Sequence, residues 1–301
     1  MNDPMFFGVI VNSRFDSQKK ECEIEMVYIL LPVHNRKAVT QRFVQCLKSQ
    51  TYTDYHLILI DDGSADGTEE MVRSEMKSLT VIQGKGDWWW GGSLHQGYLW
   101  LKNHDVSFHD FVLILNDDTE FADNFLEKGM KIYGTRVKTL MQAQAYSKQS
   151  GKLIDWGAHV DWKNLIFEQS RTLEEINCLT TRGLLLKVCD FLEIGGFYPK
   201  LLPHYNSDPE FTIRAHRKGM ALMTDPGFKL WVDEETTGLK VNKNKKINEI
   251  IKELFSKKNP SNPLILSVFV ALACPWRWKL KNWVYLWYRV FRGLVNVLKG
   301  A

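Results

Sequence analysis

The sequence predicts an α/β fold in which a mixed, mainly parallel sheet is flanked by helices. Two observations lead to this prediction. The first half of the chain alternates short apolar runs with segments of helical periodicity, a βαβαβ rhythm typical of a doubly wound sheet. Two of the runs show no polar alternation. Phe111–Leu115 is apolar throughout, and His56–Ile60 is apolar after its first residue. Such runs indicate strands that are covered on both faces.

The elements of the first half can be assigned in chain order. Residues 1–25 are expected to form a poorly specified leader, and no basic region precedes their short apolar run, so we expect no signal peptide. The segment Met26–Leu31 predicts the first strand, which Pro32 closes. The expected elements that follow are, in order, a helix over Val39–Ser49, a strand ending at Asp61, a helix over Glu69–Met76, a strand over Leu79–Ile82, a helix over Ser93–Asn103 and the strand Phe111–Leu115.

The second half is less regular. Its expected elements are a helix over Asn124–Tyr133, a strand over Thr139–Tyr146, a hairpin within Leu153–Trp162, a strand over Leu179–Leu186, a short helix over Lys187–Ile194 and a helix that begins near Asp208-Pro209.

A segment rich in glycine and tryptophan, Gly84–Ser93, separates the third strand from its following helix. A dinucleotide-binding fingerprint would need glycine at position 89. The chain has Trp89 there, so this segment is not a dinucleotide-binding fingerprint. Three tryptophans among four glycines cannot all be core residues in so flexible a stretch. Either some of them form an aromatic wall of a binding site, or they seal the edge of the sheet.

Acidic residues follow both uninterrupted strands. Asp61-Asp62 comes after the second strand and Asn116-Asp117-Asp118 after the fourth. Ligands bind outside the carboxyl ends of the strands in open α/β sheets, and clustered carboxylates are costly unless cations or hydrogen-bond donors compensate them. A solvated acidic turn is the alternative for either strand end alone, but the two ends together predict a site. Carboxylates there can hold a hard divalent cation, which in turn can grip a diphosphate.

Several short motifs together resemble the family-2 inverting glycosyltransferases of GT-A fold. They occur in that family's order over about residues 26–235: PVHNR at 32–36, DDGSADGT at 61–68, NDD at 116–118, GGF at 195–197, DPE at 208–210, Arg214 and Gly219. The chain departs from the family pattern in three places. Asn116 stands where an aspartate is usual, Ser207 stands where a glutamate is usual, and residues 226–235 contain no histidine.

The resemblance implies roles for individual residues. Asp208 would be the catalytic base, and Asp118 the metal ligand for Mn²⁺ or Mg²⁺. Arg36 would contact phosphate or be a solvated loop residue, and Asp233 or Glu234 would replace the absent histidine. The remaining implied contacts are to the nucleotide, from Pro32, Asn35, Asp61, Asp62, Asn116 and Asp117, and to the substrate, from Trp89, Trp90, Gly91, Gly92, Glu210 and Arg214.

The charge distribution sets the C-terminus apart. No acid follows Glu253, whereas eight lysines and arginines do, so the net charge of +4 is −4 up to residue 253 and +8 beyond it. The apolar run Pro263–Cys274 is too short to span a bilayer of roughly 30 Å. The segment after Pro275 interleaves tryptophans with cations, as an amphipathic helix on an anionic membrane does. The alternative is a helical pair packed on the catalytic domain.

These observations predict three regions: a leader at 1–25, a catalytic domain of GT-A fold at 26–240, and a basic, aromatic helical tail at 241–301. We expect a metal-dependent, inverting glycosyltransferase on the cytoplasmic face of the cell membrane. By resemblance, it would move a sugar from a UDP or dTDP donor to a glycan or polyprenyl-linked acceptor. The WWWGG segment is similar to that of members that transfer rhamnose, and we expect no nucleic-acid partner.

Two other functions remain open. A catalytically silent homologue would bind nucleotide or glycan without turnover, in keeping with the three departures. A sugar-phosphate nucleotidyltransferase would share the sheet but needs a Gly-rich loop with Arg or Lys after the first strand, where this chain has PVHNR. The five scattered cysteines contain no CxxC, which argues against a disulfide framework or a thiolate metal site.

Overall fold

The computed structural model of the protein describes residues 25–234, 252–257 and 259–300. The expected leader, apart from residue 25, and the expected domain boundary near residue 240 lie outside the described residues. The eleven strands named here are β1 (Val27–Val33), β2 (Tyr55–Asp61), β3 (Leu79–Gln83), β4 (Phe111–Ile114), β5 (Thr119–Glu120), β6 (Thr139–Ser147), β7 (Leu153–Asp155), β8 (Ala158–Asp161), β9 (Ile166–Gln169), β10 (Leu184–Lys187) and β11 (Ala221–Val232). The helices are α1 (Lys37–Lys48), α2 (Thr68–Glu75), α3 (Trp89–Asn103), α4 (Phe125–Tyr133), α5 (Val188–Ile194), α6 (Ser207–Arg217), α7 (Pro263–Ala273) and α8 (Trp276–Gly300).

Nine of these strands form one mixed sheet, as the sequence predicts. Its order is β3-β2-β1-β4-β10-β6-β11-β5, with β7 paired to β6. The half that contains β1 to β4 is parallel, but β10 runs antiparallel between β4 and β6. Antiparallel strand pairs therefore make up a larger part of the sheet than the sequence predicts.

The chain order reverses at β1. β2 pairs with one edge of β1 and β4 with the other, both in parallel. In the register, Val33 lies opposite Asp61 and Leu30 opposite Ile114, so the polar residues that follow β2 and β4 emerge at the same edge. A crevice at such a reversal point is where open α/β sheets bind ligands.

Helices cover both faces of the sheet. Alternate residues of β1 belong to different hydrophobic clusters, because successive side chains of a strand point to opposite faces. Ile29 and Leu31 pack with α1, α2 and α4, whereas Leu30 packs with α3, α5 and α6. This burial on both faces explains the uninterrupted apolar runs in the sequence.

A third cluster attaches the C-terminal helix α7 to this body. Ile265 and Phe269 of α7 are buried against Val160 of the β8–β9 hairpin and Ile213 of α6. Each such side chain contributes roughly 1.5–3 kcal/mol when fully buried. The apolar run that is too short to span a bilayer is thus a core helix of the domain.

The next helix, α8, is only partly packed. Asn282 and Leu286 are buried, and the Asn282 amide donates to the Trp162 carbonyl at 2.8 Å. On the opposite side, Trp276, Leu280 and Phe291 are 86%, 76% and 68% exposed. Among the residues that the structure describes, no helix is long and apolar enough to cross a membrane.

Three expected elements differ in the structure. Helix α3 begins at Trp89 rather than Ser93, so the Trp-Gly segment is partly helical rather than a flexible loop. Strand β10 begins at Leu184 rather than Leu179, because side chains and not a strand hold the preceding residues: the amide of Leu179 donates to the Thr212 hydroxyl and that of Thr180 to Gln142. The expected hairpin within Leu153–Trp162 does not form: β7 joins the main sheet, and β8 forms a hairpin with β9, which lies beyond that range.

Candidate active site

The edge at the carboxyl ends of β1, β2 and β4 collects most of the residues that the sequence singles out. Asn35 lies just after β1, with φ of 50°, and its side chain joins two loops. Its side-chain Oδ1 accepts a hydrogen bond from the backbone N–H of Ala65 at 2.8 Å. The backbone N–H of Asn35 donates to the Ser64 hydroxyl at 2.9 Å. Pro32 is buried within β1 opposite Ile60. These contacts hold the β1–α1 loop against the DDGS turn.

The two aspartates of the DDGS turn have different roles in the structure. Asp61 Oδ1 accepts from the Ser64 amide at 2.7 Å and so shapes its own turn. The Asp62 carboxylate instead accepts three backbone N–H groups, from Gly86 at 2.9 Å, Trp88 at 2.9 Å and Trp89 at 3.0 Å. Asp62 therefore caps the start of α3, and this cap explains why the helix begins four residues earlier than its periodicity suggests.

Glycine allows the first turn of α3 to approach its neighbours closely. A Cβ atom on Gly91 would lie 2.6 Å from the Leu202 carbonyl oxygen, and the Gly91 amide donates to the Pro203 carbonyl at 2.8 Å. Gly92 packs against Trp88. These two glycines act through packing of the helix.

The indole of Trp90 reaches the expected catalytic base. Its Nε1 donates to Asp208 Oδ1 at 2.7 Å and lies 3.2 Å from the Thr181 hydroxyl. Trp89, with φ of 57°, instead packs its ring near that of His204, at 5.7 Å between centroids. The Trp-Gly segment thus borders the site, and it also forms part of the helix that covers the sheet.

Asp208 lies in the first turn of α6, deep in the fold but with part of its surface still open to solvent. Burial raises the pKa of its carboxyl above the ordinary range. Hydrogen bonds with Thr181, Trp90 and Ser207 lower the pKa again, but by less. A raised pKa makes a carboxylate a stronger base, and solvent access leaves this one open to a proton donor. No sequence signal identified Thr181.

The acidic residues after β4 surround a guanidinium. Asp117 and Asp118 are both buried, and Arg36 Nε lies 3.0 Å from Asp117 Oδ2 while Nη2 lies 3.5 Å from Asp118 Oδ2. The Thr40 hydroxyl also donates to Asp117 Oδ2, at 3.1 Å. Burial raises the pKa of Asp117 to about 6, although Arg36 opposes the shift. Arg36 is therefore part of the site and is not a solvated loop residue.

Two oxygen atoms of this cluster have no partner among the residues that the structure describes. Asp118 Oδ1 and Asn116 Oδ1 are buried and accept no hydrogen bond from those residues. Oxygen atoms of this kind fit a hard divalent cation. Among the described residues, however, no three His, Cys, Asp or Glu side chains converge as a complete metal site. The Asp233 amide lies 3.5 Å from the Asp118 carbonyl, and the Asp233 carboxylate contacts Gln149 and Arg42.

Glu210 and Arg214 lie on the side of α6 away from Asp208. They form an ion pair at 2.9 Å, and the Arg214 guanidinium donates to the carbonyls of Ile194, Gly195 and Gly196. The pair therefore fixes the end of α5 and the GGF segment. Their expected contact with substrate stays a prediction.

The fold and the composition of the site define a class. A mixed α/β sheet with acidic strand ends at its reversal point, and a carboxylate on a neighbouring helix, is the arrangement of the nucleotide-diphospho-sugar transferases of GT-A fold. The family model described as glycosyl transferase family 2 matches residues 28–185, more than half of the chain. The protein belongs to this family.

Comparisons with individual proteins agree with this class. Over 69 residues the chain is 38% identical to chondroitin synthase of Escherichia coli, a match that covers 23% of this chain and 10% of that protein. The structure is similar to that of GalNAc-T7 with UDP, GalNAc and Mn²⁺, with a TM-score of 0.55 and 13% identity over 69% of this chain and 43% of the other. It is also similar to mannosyltransferase PcManGT from Pyrobaculum calidifontis in complex with GDP-Man and Mn²⁺, with a TM-score of 0.52 and 14% identity over 92% and 79% of the two chains.

A third similar structure is S. aureus TarS 1–349 in complex with UDP, with a TM-score of 0.54 and 14% identity over 82% of this chain and 64% of the other. The chain spans a tenth of the chondroitin synthase and less than half of the GalNAc-T7 chain. At these identities the solved structures show the fold and not the substrate.

Proposed function

We propose that the protein is an inverting glycosyltransferase that moves a sugar from a UDP or dTDP donor to a hydroxyl of a glycan or lipid-linked acceptor. The observation that carries the proposal is the environment of Asp208. Its carboxylate lies deep in the fold, retains solvent access, and contacts Thr181 and Trp90, which lies in the first turn of the helix that Asp62 caps. Family membership supplies the reaction class.

The chemistry follows from these positions. Asp208 accepts the proton of the acceptor hydroxyl while that oxygen attacks the anomeric carbon of the donor. The bond from the anomeric carbon to the nucleoside diphosphate breaks on the opposite face, so the configuration inverts. A group that takes the proton in this way contributes roughly 10²–10⁴-fold to the rate.

Nucleotide contacts are assigned to Pro32, Asn35, Asp61 and Asn116. We assign the contact to the N3–H of a pyrimidine to Asp61 rather than Asp62, because three backbone amides already occupy the Asp62 carboxylate. Asp118 and Asn116, with their unpartnered oxygens, would hold Mn²⁺ or Mg²⁺, beside Asp117. The cation would supply Lewis acidity and charge neutralisation for the departing diphosphate.

We also propose that α8 binds the membrane that presents a polyprenyl-linked or other lipid-linked acceptor. Its exposed aromatic and aliphatic side chains form one stripe along the helix: Trp276, Leu280, Trp283, Val284, Tyr288 and Phe291. Helical spacing places Arg277, Lys281 and Arg292 along one flank of this stripe. An apolar stripe with flanking cations fits an anionic leaflet, which supports a peripheral location on the inner face of the cell membrane.

A thermal-shift panel tests the proposal. UDP, dTDP, GDP and CDP are compared, each with Mn²⁺, with Mg²⁺ and with a chelator. A nucleotide at a hundredfold its dissociation constant should stabilise the fold by about 2.7 kcal/mol. We expect a shift with one pyrimidine diphosphate that disappears with chelator and in Asp118→Ala.

The same panel separates catalysis from binding. Asp208→Asn should keep the nucleotide-dependent shift and lose sugar transfer, measured as nucleoside diphosphate released in the presence of acceptor. Retained binding in the wild-type protein without any turnover would identify a catalytically silent homologue. The absence of any nucleotide-dependent shift in folded protein would contradict the proposal.

A further inference from the structure

The Arg36 guanidinium lies where a cation of the active site would be expected. It is within ion-pair distance of both Asp117 and Asp118, and both carboxylates are buried. Arg36 is one-third exposed, so it reaches the acidic pair from the solvent side of the crevice. Arg36 thus brings a positive charge to two buried carboxylates.

The contact has the distances of an ion pair but lacks the geometry of hydrogen bonds. Arg36 Nε and Nη2 are buried and form no hydrogen bond with acceptable angles to residues 25–234, 252–257 or 259–300, although Nε is 3.0 Å from Asp117 Oδ2. A guanidinium that fits a carboxylate site usually makes two parallel N–H···O bonds. The acidic pocket is therefore poorly shaped for Arg36, although the charges attract.

Arg36 contacts only some of the oxygen atoms of this acidic cluster, and the remaining oxygen atoms indicate a site for a second cation beside the guanidinium. The side chain of Asp118 is 3% exposed, yet its Oδ1 meets no donor in the described part of the chain, and the buried Asn116 Oδ1 meets none there either. An unpartnered buried oxygen is costly. A small cation that prefers oxygen ligands would satisfy both atoms, whereas the planar guanidinium contacts only the Oδ2 side of the pair.

We propose that Arg36 is a displaceable counter-ion, which competes with the divalent cation for Asp117 and Asp118 and turns to the donor diphosphate once the cation is bound. This inference rests on the divalent cation of the proposed function. Guanidinium groups bind phosphate oxygens bidentately, so the diphosphate offers Arg36 the geometry that the aspartates do not. The cation and the nucleotide would then each favour the binding of the other.

The charges predict the sign of the effect. Two carboxylates and one guanidinium carry a net charge of −1, and a divalent cation must enter against the positive charge of Arg36. At the dielectric constant of water, a unit positive charge about 6 Å from a divalent cation weakens its binding roughly tenfold. Removal of Arg36 should therefore tighten binding of the cation alone and remove most of its cooperation with nucleotide.

The test is Mn²⁺ binding to the full chain, measured from the electron paramagnetic resonance signal of free Mn²⁺. Arg36→Gln should bind Mn²⁺ roughly tenfold more tightly than the wild type in the absence of nucleotide. With whichever of UDP and dTDP shifts the melting temperature, the wild type should gain more Mn²⁺ affinity than the variant, after correction for the Mn²⁺–nucleotide complex. Arg73→Gln is the matched control, because Arg73 is more than half exposed and pairs with Glu69 on α2.

The outcomes distinguish this inference from the proposed function. Equal Mn²⁺ affinity in Arg36→Gln, Arg73→Gln and wild type, with affinity lost in Asp118→Asn, would keep the metal site and overturn the role of Arg36. Equal nucleotide cooperation in the wild type and Arg36→Gln would also overturn it. The absence of Mn²⁺ binding in every variant would reject both the inference and the metal dependence. Circular dichroism and the melting temperature confirm that each variant is folded.

Discussion

The hydrogen bond from Trp90 to Asp208 offers a direct test of the assigned base. Trp90→Phe keeps an aromatic ring in the first turn of α3 and removes the indole N–H, which donates to Asp208 Oδ1 at 2.7 Å. This hydrogen bond stabilises the ionised carboxylate and lowers the pKa of Asp208, although burial keeps that pKa raised. Without the indole, the pKa of Asp208 should rise further.

The size of the effect follows from the contacts that remain. A hydrogen bond to a charged group contributes about 1.5–3 kcal/mol. Thr181 and Ser207 still contact the carboxylate in the variant, so we expect the lower end of this range. That energy corresponds to a roughly tenfold smaller ionised fraction of Asp208 at a pH below its pKa. Sugar transfer should fall by the same factor there and recover as the pH rises.

The assay is the pH dependence of kcat. We expect the acidic limb of the Trp90→Phe profile to move to higher pH, with the plateau at high pH nearly unchanged. Trp100→Phe makes the same chemical change at the other end of α3 and should leave the profile in place. A uniform loss of kcat at all pH values would show that Trp90 only supports the fold, and an unshifted profile would refute the pairing of Trp90 with the base.

Folding stability should respond with a definite sign. Because burial raises the folded-state pKa of Asp208 above its unfolded value, its protonated form is favoured by folding, and this contribution is lost as the pH rises through the folded-state pKa. Trp90→Phe should therefore destabilise the protein more at high pH than at low pH. Urea unfolding at the two extremes measures this difference.

Three further predictions concern packing and surfaces. Asp62→Asn should lower the free energy of unfolding by about 1–3 kcal/mol in urea titrations, because an amide replaces a carboxylate that accepts three backbone N–H groups. Gly91→Ala should lower the free energy of unfolding by about 1–3 kcal/mol in the same assay, because the added Cβ would lie 2.6 Å from a carbonyl oxygen. Gly293→Ala should be neutral or stabilising, because no neighbouring atom lies within 4 Å of its added Cβ. Replacement of Trp276 and Leu280 together by serine should weaken co-sedimentation with anionic phospholipid vesicles at least roughly tenfold, because both side chains are highly exposed in the free protein and would be buried in lipid.

Each of these predictions has a result that would contradict it. Asp87 lies in the same loop as the Asp62 contacts and is exposed, so Asp87→Asn is the control, and an equal loss in both variants would contradict the cap. A Gly91→Ala protein as stable as Gly293→Ala would mean that α3 can shift freely. Wild-type protein that does not sediment with anionic vesicles, or sediments equally with zwitterionic ones, would reject the membrane surface of α8.

Most of the sheet was predictable because its determinants are local. Uninterrupted apolar runs such as Phe111–Leu115 report burial on both faces, and that burial is what the structure shows. The antiparallel β10 was not placed by the sequence, because its pairing with β4 and β6 depends on contacts between distant parts of the chain. The start of α3 was also missed, since its cap, Asp62, lies 26 and 27 residues before the amides of Trp88 and Trp89.

The sequence predicts which residues belong to the candidate active site, but it does not predict what each of these residues contacts. The motif order predicts that Asp61, Asp118 and Asp208 line one crevice, and the parallel pairing of β1 with β2 and β4 brings the strand ends that carry Asp61 and Asp118 to the same edge. It could not show that Asp62 holds backbone amides. It also left the role of Arg36 open, because a guanidinium five bonds from its backbone can reach several partners.

The first turn of α3 carries a consequence for engineering. Asp62 holds one side of this turn, and Trp90 on the same turn holds Asp208, so hydrogen bonds connect the segment beside the proposed nucleoside site to the proposed base. A designer who wants to change the donor could exchange the DDGS turn alone for that of a relative. This exchange would remove the contacts that hold the tryptophans at the start of α3, so it would slow the reaction as well as alter donor selectivity. A productive chimera would have to transplant residues 61–64 and 84–92 as one unit.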